Sequence, residues 1–387
     1  MRLLILNQNY PHPDNIVGDV FVHVRAKAYA KHHQVQVFCW YGSPFEIEYE
    51  GMPLKRFADE QSLLNAIQEY KPDRILIHFY QSWMLEKLLK VTTVPVIIWV
   101  HGFEALGWYR RLFNFKLYSP VLLNYARKNT VQQYRFRKLI KFANKSEQIK
   151  FVFVSNWMRK ITETDTLSKI KNYSIIPNPI DTELFSYSEK PAELRKKVLL
   201  LRSFDSRKYA NDISVEAILL LSKKDFFKEF SFTIIGKGNL FDSTLAPIKH
   251  LPNVSITKNG VRQVLIPALH KENGIFLCPT RQDAQGVSMC EAMSSGLVVI
   301  TSNNTAIPEY VENGKTGLLT NSPQEVADAM EQMLMNPEKF QTISSAGARS
   351  MRELCDIETI SEKELILIEG NDHSFTTIKK RHEHTVG

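Results

Sequence analysis

Two series of short apolar runs, each interleaved with helical segments, limit what this chain can fold into more than any other feature. LLILN (3–7), VQVFCW (35–40), RILIHF (74–79), PVIIWV (95–100) and FVFVS (151–155) form the first series. Runs this short and continuously apolar predict strands buried on both faces, as in a parallel sheet. Between them, VFVHVRAKAYAKHH (20–33) and EQSLLNAIQEY (60–70) carry helical spacing. The pattern then restarts with KVLLLRS (197–203), FTIIGKG (232–238), NVSITKNG (253–260), GIFLCPT (274–280) and LVVIT (297–301). A chain of 387 residues is too long for one ordinary core and suits two domains of roughly 150–200 residues each. The expectation is an α/β protein with two doubly wound domains facing each other across a cleft. The polar stretch YSEKPAELRKK (187–197) marks the boundary, giving domains over 1–190 and 191–368. Over 369–387 the hydrophobic period is lost, which predicts a loosely held tail.

Composition narrows the class. With 44% hydrophobic and 23% charged residues, the chain reads as a soluble globular protein rather than a disordered one. Its net charge of +8 suits an anionic substrate, an anionic membrane face or nucleic acid, and chooses none of them. Four scattered cysteines, Cys39, Cys278, Cys290 and Cys355, form no C-x-x-C pair. That argues for a reducing compartment and against a disulfide framework or zinc site. The apolar run in MRLLILNQNYP is too short for a signal-peptide core. VPVIIWV (94–100) falls far below the ~20 residues that span a bilayer. A cytoplasmic protein is expected, with peripheral contact at the inner membrane face left open.

That opening comes from 110–150, which holds eleven Lys or Arg against one acid, Glu147. Phe113, Phe115, Tyr118, Tyr125, Tyr134, Phe136 and Phe142 are interleaved with them. One reading is a long surface helix with a basic face. Another is a membrane-interface patch, since basic residues attract anionic lipid while aromatics sit at headgroup depth. No recognised nucleic-acid module accompanies these residues, so no nucleic-acid partner is expected.

In an open α/β sheet, ligands bind beyond the carboxyl ends of the strands. RQDAQGVSMCEAMSSG (281–296) follows GIFLCPT in that position. If Gly286 permits a tight turn, a helix starting at Val287 or Ser288 aims its free N–H groups into the cleft, where a diphosphate fits. Glu291, a turn further in, could accept hydrogen bonds from a ribose diol, and Asp283 from hydroxyls of a sugar beyond the diphosphate. The plain alternative is a capping box over Ser288-x-x-Glu291, which accounts for Glu291 but not for Asp283 or Gly286. In the same half, Arg202 leaves the first strand and Lys208 follows six residues later. Two cations there could neutralise a diphosphate leaving group without a metal.

These residues resemble the nucleotide-sugar-binding domain of the family-four glycosyltransferases, retaining enzymes of the GT-B fold with two Rossmann-like domains. The family's signature is an acid, seven residues, then Glu-Ala-Met and a small residue before Gly. This chain has Asp283, seven residues, then Glu291-Ala292-Met293-Ser294-Ser295-Gly296. VVITSNNTAIPEYVENGKTGLLT (298–320), FTIIGKG and PNPIDTELF (177–185) are similar to further family segments. The likeness covers most of 197–320 and, more loosely, 1–190. It implies that Glu291 binds the ribose and that Gly286, Val287 and Ser288 offer N–H groups to the phosphates. It implies too that Arg202 and Lys208 stabilise the departing diphosphate, while Asp283 holds the donor sugar. In the first half, VHGFE (100–104) resembles the strand-end histidine of the family, placing His101 near donor sugar and acceptor. Gly18 stands alone where the family usually has a glycine pair that contacts the donor.

Two departures stand out. Asp283 replaces the usual Glu, retracting the carboxylate by about one C–C bond, ~1.5 Å. Pro179 replaces the usual glycine after Pro-Asn, stiffening the crossing and removing an N–H. No D-x-D motif for a divalent ion is present, and HEH (382–384) reads as a solvated terminus, so no metal site is expected. The resemblance implies transfer of a hexose-type sugar from a nucleoside diphosphate to a glycan or lipid-linked acceptor, with no cofactor. Two rivals stay open, a catalytically silent binding partner and a nucleotide-sugar epimerase. A dinucleotide oxidoreductase has less support, since NQNYPHPDN stands where G-x-G-x-x-G would follow the first strand.

Overall fold

The computed structural model describes residues 1–15 and 18–370. Its first sheet contains β1 (Arg2–Leu6), β2 (Gln34–Trp40), β3 (Phe45–Tyr49), β4 (Met52–Phe57), β5 (Arg74–His78), β6 (Val96–Val100), β7 (Ile149–Phe153) and β8 (Tyr173–Ile175). They lie in the order β3-β4-β2-β1-β5-β6-β7-β8, parallel except for the β3-β4 hairpin. The second sheet is wholly parallel. It contains β9 (Lys197–Leu201), β10 (Ser231–Gly236), β11 (Val254–Lys258), β12 (Ile275–Leu277), β13 (Val298–Ser302) and β14 (Leu318–Thr320), ordered β11-β10-β9-β12-β13-β14.

Each run expected as a strand is one. Their side chains alternate between two cores: Leu4, Leu6, Ile75, Ile77 and Ile98 pack on one face of the first sheet, and Leu3, Ile5, Leu76 and Ile97 on the other. Both faces are covered by helices, which is why these strands read as continuous apolar runs. Burying each such side chain contributes about 1.5–3 kcal/mol. The hairpin, β8 and β14 escaped the pattern. FEIEY alternates and its side chains are at most half-buried, while β8 and β14 are three residues each.

The 110–150 stretch does not form the one long helix that the first of its two readings describes. A 3-10 segment spans Trp108–Asn114, and an α-helix spans Pro120–Ala143. The Ser119 side chain caps that helix, accepting from the Leu122 N–H at 3.2 Å, and Pro120 fits its first turn. Phe136, Leu139, Ile140 and Ala143 join the core of the first sheet. Part of the aromatic series is therefore packing rather than surface.

The expected boundary also needs correction at its far end. The last helix, Ile357–Glu369, begins inside the 191–368 stretch expected for the second domain but packs on the first sheet. Ile360, Leu367 and Ile368 share a core with Leu3 and Ile5. Glu364, fully buried, accepts from Arg25 Nε at 2.9 Å, Tyr29 OH at 2.5 Å and Trp99 Nε1 at 3.2 Å. A buried carboxylate requires such partners, and removing them would leave an uncompensated charge. The chain thus crosses between the sheets twice. The two crossings bond to each other, Ile180 N–H to the Cys355 carbonyl at 2.7 Å and Ile357 N–H to the Ile180 carbonyl at 3.0 Å. Beyond Gly370, the expected tail and HEH (382–384) lie outside the described residues. No described helix is long and apolar enough to cross a membrane.

Candidate active site

The loops after β1, β5 and β6 meet those after β9 and β12 around a cleft of about 520 Å³. Asp19, Phe79 and His101 line one wall, and Lys208, Asp283 and Gly286 the other. A shallower depression of about 570 Å³ lies at the amino ends of β1, β2 and β5, the end of an open sheet where ligands do not collect.

The 281–296 segment is built as follows. Asp283 Oδ1 accepts from the Gly286 N–H at 2.9 Å and the Gln285 N–H at 3.3 Å, a side-chain-closed turn that suits Asp. Among the described residues nothing hydrogen-bonds Oδ2. Gly286 takes the left-handed conformation, φ 85°, and forms the N-cap of helix Val287–Ser294. That leaves the Val287 and Ser288 N–H groups in the first turn without an intrahelical acceptor. The capping box does not form, because Ser288 already lies inside the helix. Its hydroxyl instead accepts from Arg202 Nη1 at 3.3 Å, and Glu291 accepts from Gln263 Nε2 at 2.8 Å. Burial pushes the Glu291 carboxyl up to about 7.

Arg202 is 8% exposed and its Nε and Nη2 atoms are buried without a hydrogen-bond partner among the described residues. Its guanidinium lies 5.0 Å from the centre of the Tyr209 ring, and Lys208 Nζ lies 4.6 Å from the same centre. Two orphaned donors cost about 1–3 kcal/mol each. An acceptor-rich ligand would relieve that cost.

On the opposite wall, His101 Nε2 lies 3.0 Å from Nδ1 of the fully buried His78, which stacks on Trp99. Burial, then the positive charge of Arg25, pushes His101 well below the ordinary histidine range, and burial, then His101 and Arg25, does the same to His78. The two rings form a neutral pair in which one N–H serves both. Glu104 accepts from the His101 and Gly102 N–H groups at 2.6 and 3.0 Å, and burial raises it to about 7. Asp19 accepts from Asn7 Nδ2 at 2.9 Å and is raised by burial to about 6.

Of the residues expected at the site, His101, Lys208, Asp283, Gly286 and Val287 line the cleft. Arg202, Ser288 and Glu291 are not among its lining residues; Ser288 and Glu291 follow Val287 in the same helix, and Arg202 bonds Ser288. Gly18 is not on the wall. A Cβ there would meet the Asn9 carbonyl oxygen at 2.5 Å, so this glycine answers a close backbone approach, and Asp19 beside it faces the cleft.

Sequence reasoning missed Asp19, Arg111, Gln263, Gln282, His78 and Tyr209. Asp19 was within reach, since it is the acid next to Gly18 in the first strand-to-helix loop. Arg111 was counted only as surface charge, yet its Nε donates to Gln282 across the cleft at 3.0 Å. Asn114 accepts from Ser206 Oγ and the Arg207 N–H, both at 3.1 Å. The Trp108–Asn114 segment thereby ties the two domains together beside the cleft.

Two parallel α/β sheets opposed across a cleft, with the strand-end loops of both supplying its walls, define a GT-B architecture. The chain belongs to glycosyltransferase family four. The model of the family described as "Glycosyltransferase Family 4" matches residues 19–184, and that described as "Glycosyl transferases group 1" matches residues 195–336. A similar curated protein is the GDP-mannose-dependent alpha-(1-6)-phosphatidylinositol monomannoside mannosyltransferase of Mycobacterium tuberculosis. It is 26% identical over 242 residues, 57% of this chain and 61% of the relative, so the match spans under two thirds of that protein. Alpha-monoglucosyldiacylglycerol synthase of Acholeplasma laidlawii is 25% identical over 206 residues, 46% of this chain and 49% of that protein. Among solved structures, sucrose-phosphate synthase from Thermosynechococcus elongatus has a TM-score of 0.75 at 14% identity, covering 96% of this chain and 98% of its own. Anabaena HepE in complex with UDP and glucose has a TM-score of 0.70 at 15% identity, covering 96% of this chain and 100% of its own. At those identities the likeness is one of fold.

Proposed function

We propose that the protein is a retaining, metal-independent glycosyltransferase that moves a hexose-type sugar from a nucleoside diphosphate to a glycan or lipid-linked glycan. The observation that carries this reading is the convergence on one wall of Asp283, the open first turn at Val287 and Lys208, backed by the unsatisfied guanidinium of Arg202. Glu291 accepts from the ribose hydroxyls. The first turn of helix Val287–Ser294, Arg202 and Lys208 take up the negative charge that develops on the departing diphosphate. Asp283 spends one oxygen on its own turn and keeps Oδ2 for a sugar hydroxyl. The acceptor attacks from the face the diphosphate leaves, and the leaving phosphate oxygen takes its proton. The neutral His101 lies where donor sugar and acceptor meet. Closed contacts across the cleft exclude water and limit donor hydrolysis.

A hydrolysis and transfer screen over nucleoside diphosphate sugars, run with EDTA, tests this. Turnover of one donor, lost in Asp283→Ala, is expected. Tight donor binding with no turnover in the presence of any acceptor would favour a silent partner instead.

The acceptor's setting is part of the proposal. Leu117, Tyr118, Val121 and Leu123 are 65–93% exposed together where the helix Pro120–Ala143 begins, next to Lys116. An apolar tip flanked by positive charge supports docking on an anionic membrane. Sedimentation with phosphatidylglycerol vesicles should capture the protein at low salt and release it at high salt. Tyr118→Ser/Leu123→Ser should abolish capture without altering nucleotide binding. Equal sedimentation of this variant would sink the membrane reading.

A further inference from the structure

A second groove, of about 490 Å³, adjoins the cleft on the first domain. Its apolar surface is aromatic apart from Val131. Tyr80 meets Phe136 edge-on at 5.7 Å, Trp83 is fixed by its Nε1 bond to Gln81 at 3.0 Å, and Phe103 is 50% exposed. Its rim is cationic, formed by Arg127, Lys128 and Arg135 of helix Pro120–Ala143. Arg135 Nη1 donates to Ser82 Oγ at 3.1 Å. Among the described residues, none of these three cations pairs with Asp or Glu. The one acid on the wall, Glu104, is 1% exposed and is committed to the His101 and Gly102 N–H groups, so it does not balance the rim.

The groove is a built feature rather than a gap between side chains. Gln132 Nε2 donates to the Phe103 and Glu104 carbonyls at 3.2 and 2.9 Å, and Asn129 and Gln133 both donate to the Leu106 carbonyl at 3.0 Å. These bonds hold the 103–106 loop to the helix. The groove is also continuous with the cleft. Phe103 lines both and stacks on Phe79 at 5.7 Å, which packs on His101 at 4.7 Å.

We propose that this groove holds the non-reacting part of an anionic glycan acceptor, a saccharide chain bearing carboxylates or phosphates, whose terminal hydroxyl reaches the cleft past Phe103. Aromatic faces present apolar surface to the C–H faces of sugar rings, with polar edges left to solvent. Unpaired Arg and Lys groups offer charge-assisted hydrogen bonds, and the Arg fork matches a carboxylate or phosphate. A neutral chain would leave three cations uncompensated. Tyr80 and Phe136 are 6% and 1% exposed, out of reach of a flat bilayer. The word acceptor rests on the glycosyl-transfer reading; the groove's preference for an anionic saccharide does not.

Calorimetric titration of the full chain with a galacturonate heptamer and with maltoheptaose tests the proposal. The charged heptamer is expected to bind about tenfold or more tightly than the neutral one, and Arg127→Gln/Lys128→Gln to remove about that factor. Trp83→Leu should weaken both saccharides. The double variant should melt at the temperature of the unaltered protein, which shows that it is folded. Equal binding of the two saccharides would overturn the proposal. So would an equal loss in Lys223→Gln/Lys224→Gln, two exposed lysines of the other domain, since binding would then be bulk charge attraction. Capture by phosphatidylglycerol vesicles through Arg127 and Lys128, without saccharide binding, would assign the rim to lipid and overturn it as well. If the heptamer binds and no nucleoside diphosphate does, the glycosyl-transfer reading fails and the groove stands. The reverse result removes the groove alone.

Discussion

Replacing Glu291 with glutamine is expected to weaken nucleoside diphosphate binding while making the unliganded protein more stable at alkaline pH. Hydrogen bonds to a charged group contribute about 1.5–3 kcal/mol, so degrading the proposed ribose contact should raise Kd by roughly tenfold to a hundredfold. Stability moves the other way because the carboxyl is buried and raised to about 7 from an ordinary 4.5. Below the ordinary value, both folded and unfolded chains hold the proton and nothing is lost. As pH rises toward 7 the unfolded chain releases it first, so stability falls, by on the order of 3 kcal/mol once the folded carboxyl has also ionised. Glutamine does not titrate, so the variant escapes this loss. Urea unfolding at pH 4.5 and pH 8 should show the variant's advantage only at pH 8. Nucleotide affinity of the unaltered protein should rise roughly tenfold from pH 6 to pH 8 as Glu291 ionises, and that of the variant should stay flat. A variant that loses stability at both pH values and binds nucleotide normally would make Glu291 a structural residue only.

The second large effect is expected at Arg202. Arg202→Met should slow sugar transfer by about 10²–10³-fold, the loss typical when one preorganised donor to a developing anion is removed. The fold should not suffer in proportion. Methionine fills much of the same space, and the change deletes two buried N–H groups that lack partners, each a cost of about 1–3 kcal/mol in the unliganded state. The measurements are kcat with saturating donor and the melting temperature. A large fall in kcat with a melting temperature unchanged or raised is the expected pair. A variant that melts far lower and keeps kcat would make Arg202 a packing residue held over Tyr209.

Much of the fold was legible because buried parallel strands write themselves as continuous apolar runs. β1, β2, β5 and β6 in one half, and β9, β10 and β13 in the other, follow from side-chain chemistry alone. The β3-β4 hairpin was not legible, since FEIEY alternates without turn chemistry strong enough to mark it. The second-half site was readable because a glycine turn, a helix start and two acids occupy one contiguous stretch. On the first wall only His101 was found. Asp19, His78 and Arg111 each look ordinary in sequence and gain meaning from what they face.

The same division accounts for the departure at Asp283. Sequence shows only that the carboxylate is one methylene shorter. The structure shows where the shortened group goes, onto the Gln285 and Gly286 N–H groups of its own turn, with Oδ2 unpartnered among the described residues. The basic 110–150 segment divides likewise into a cleft bridge at Arg111 and Asn114, an exposed tip at Leu117–Leu123 and a groove rim at Arg127–Arg135. Composition could give their sum but not their separate places.

By itself, the sequence determined the two α/β series, the runs that form their main strands and the loop that starts helix Val287–Ser294, because these depend on neighbouring residues and on a period along the chain. Only the tertiary structure decided that helix Ile357–Glu369 returns to the first sheet. It alone also decided that Arg202 keeps unsatisfied donors beside Ser288 and that Phe103 joins a cationic groove to the cleft. Those facts are set by which distant groups exclude water from one another, and burial of that kind has no local signature.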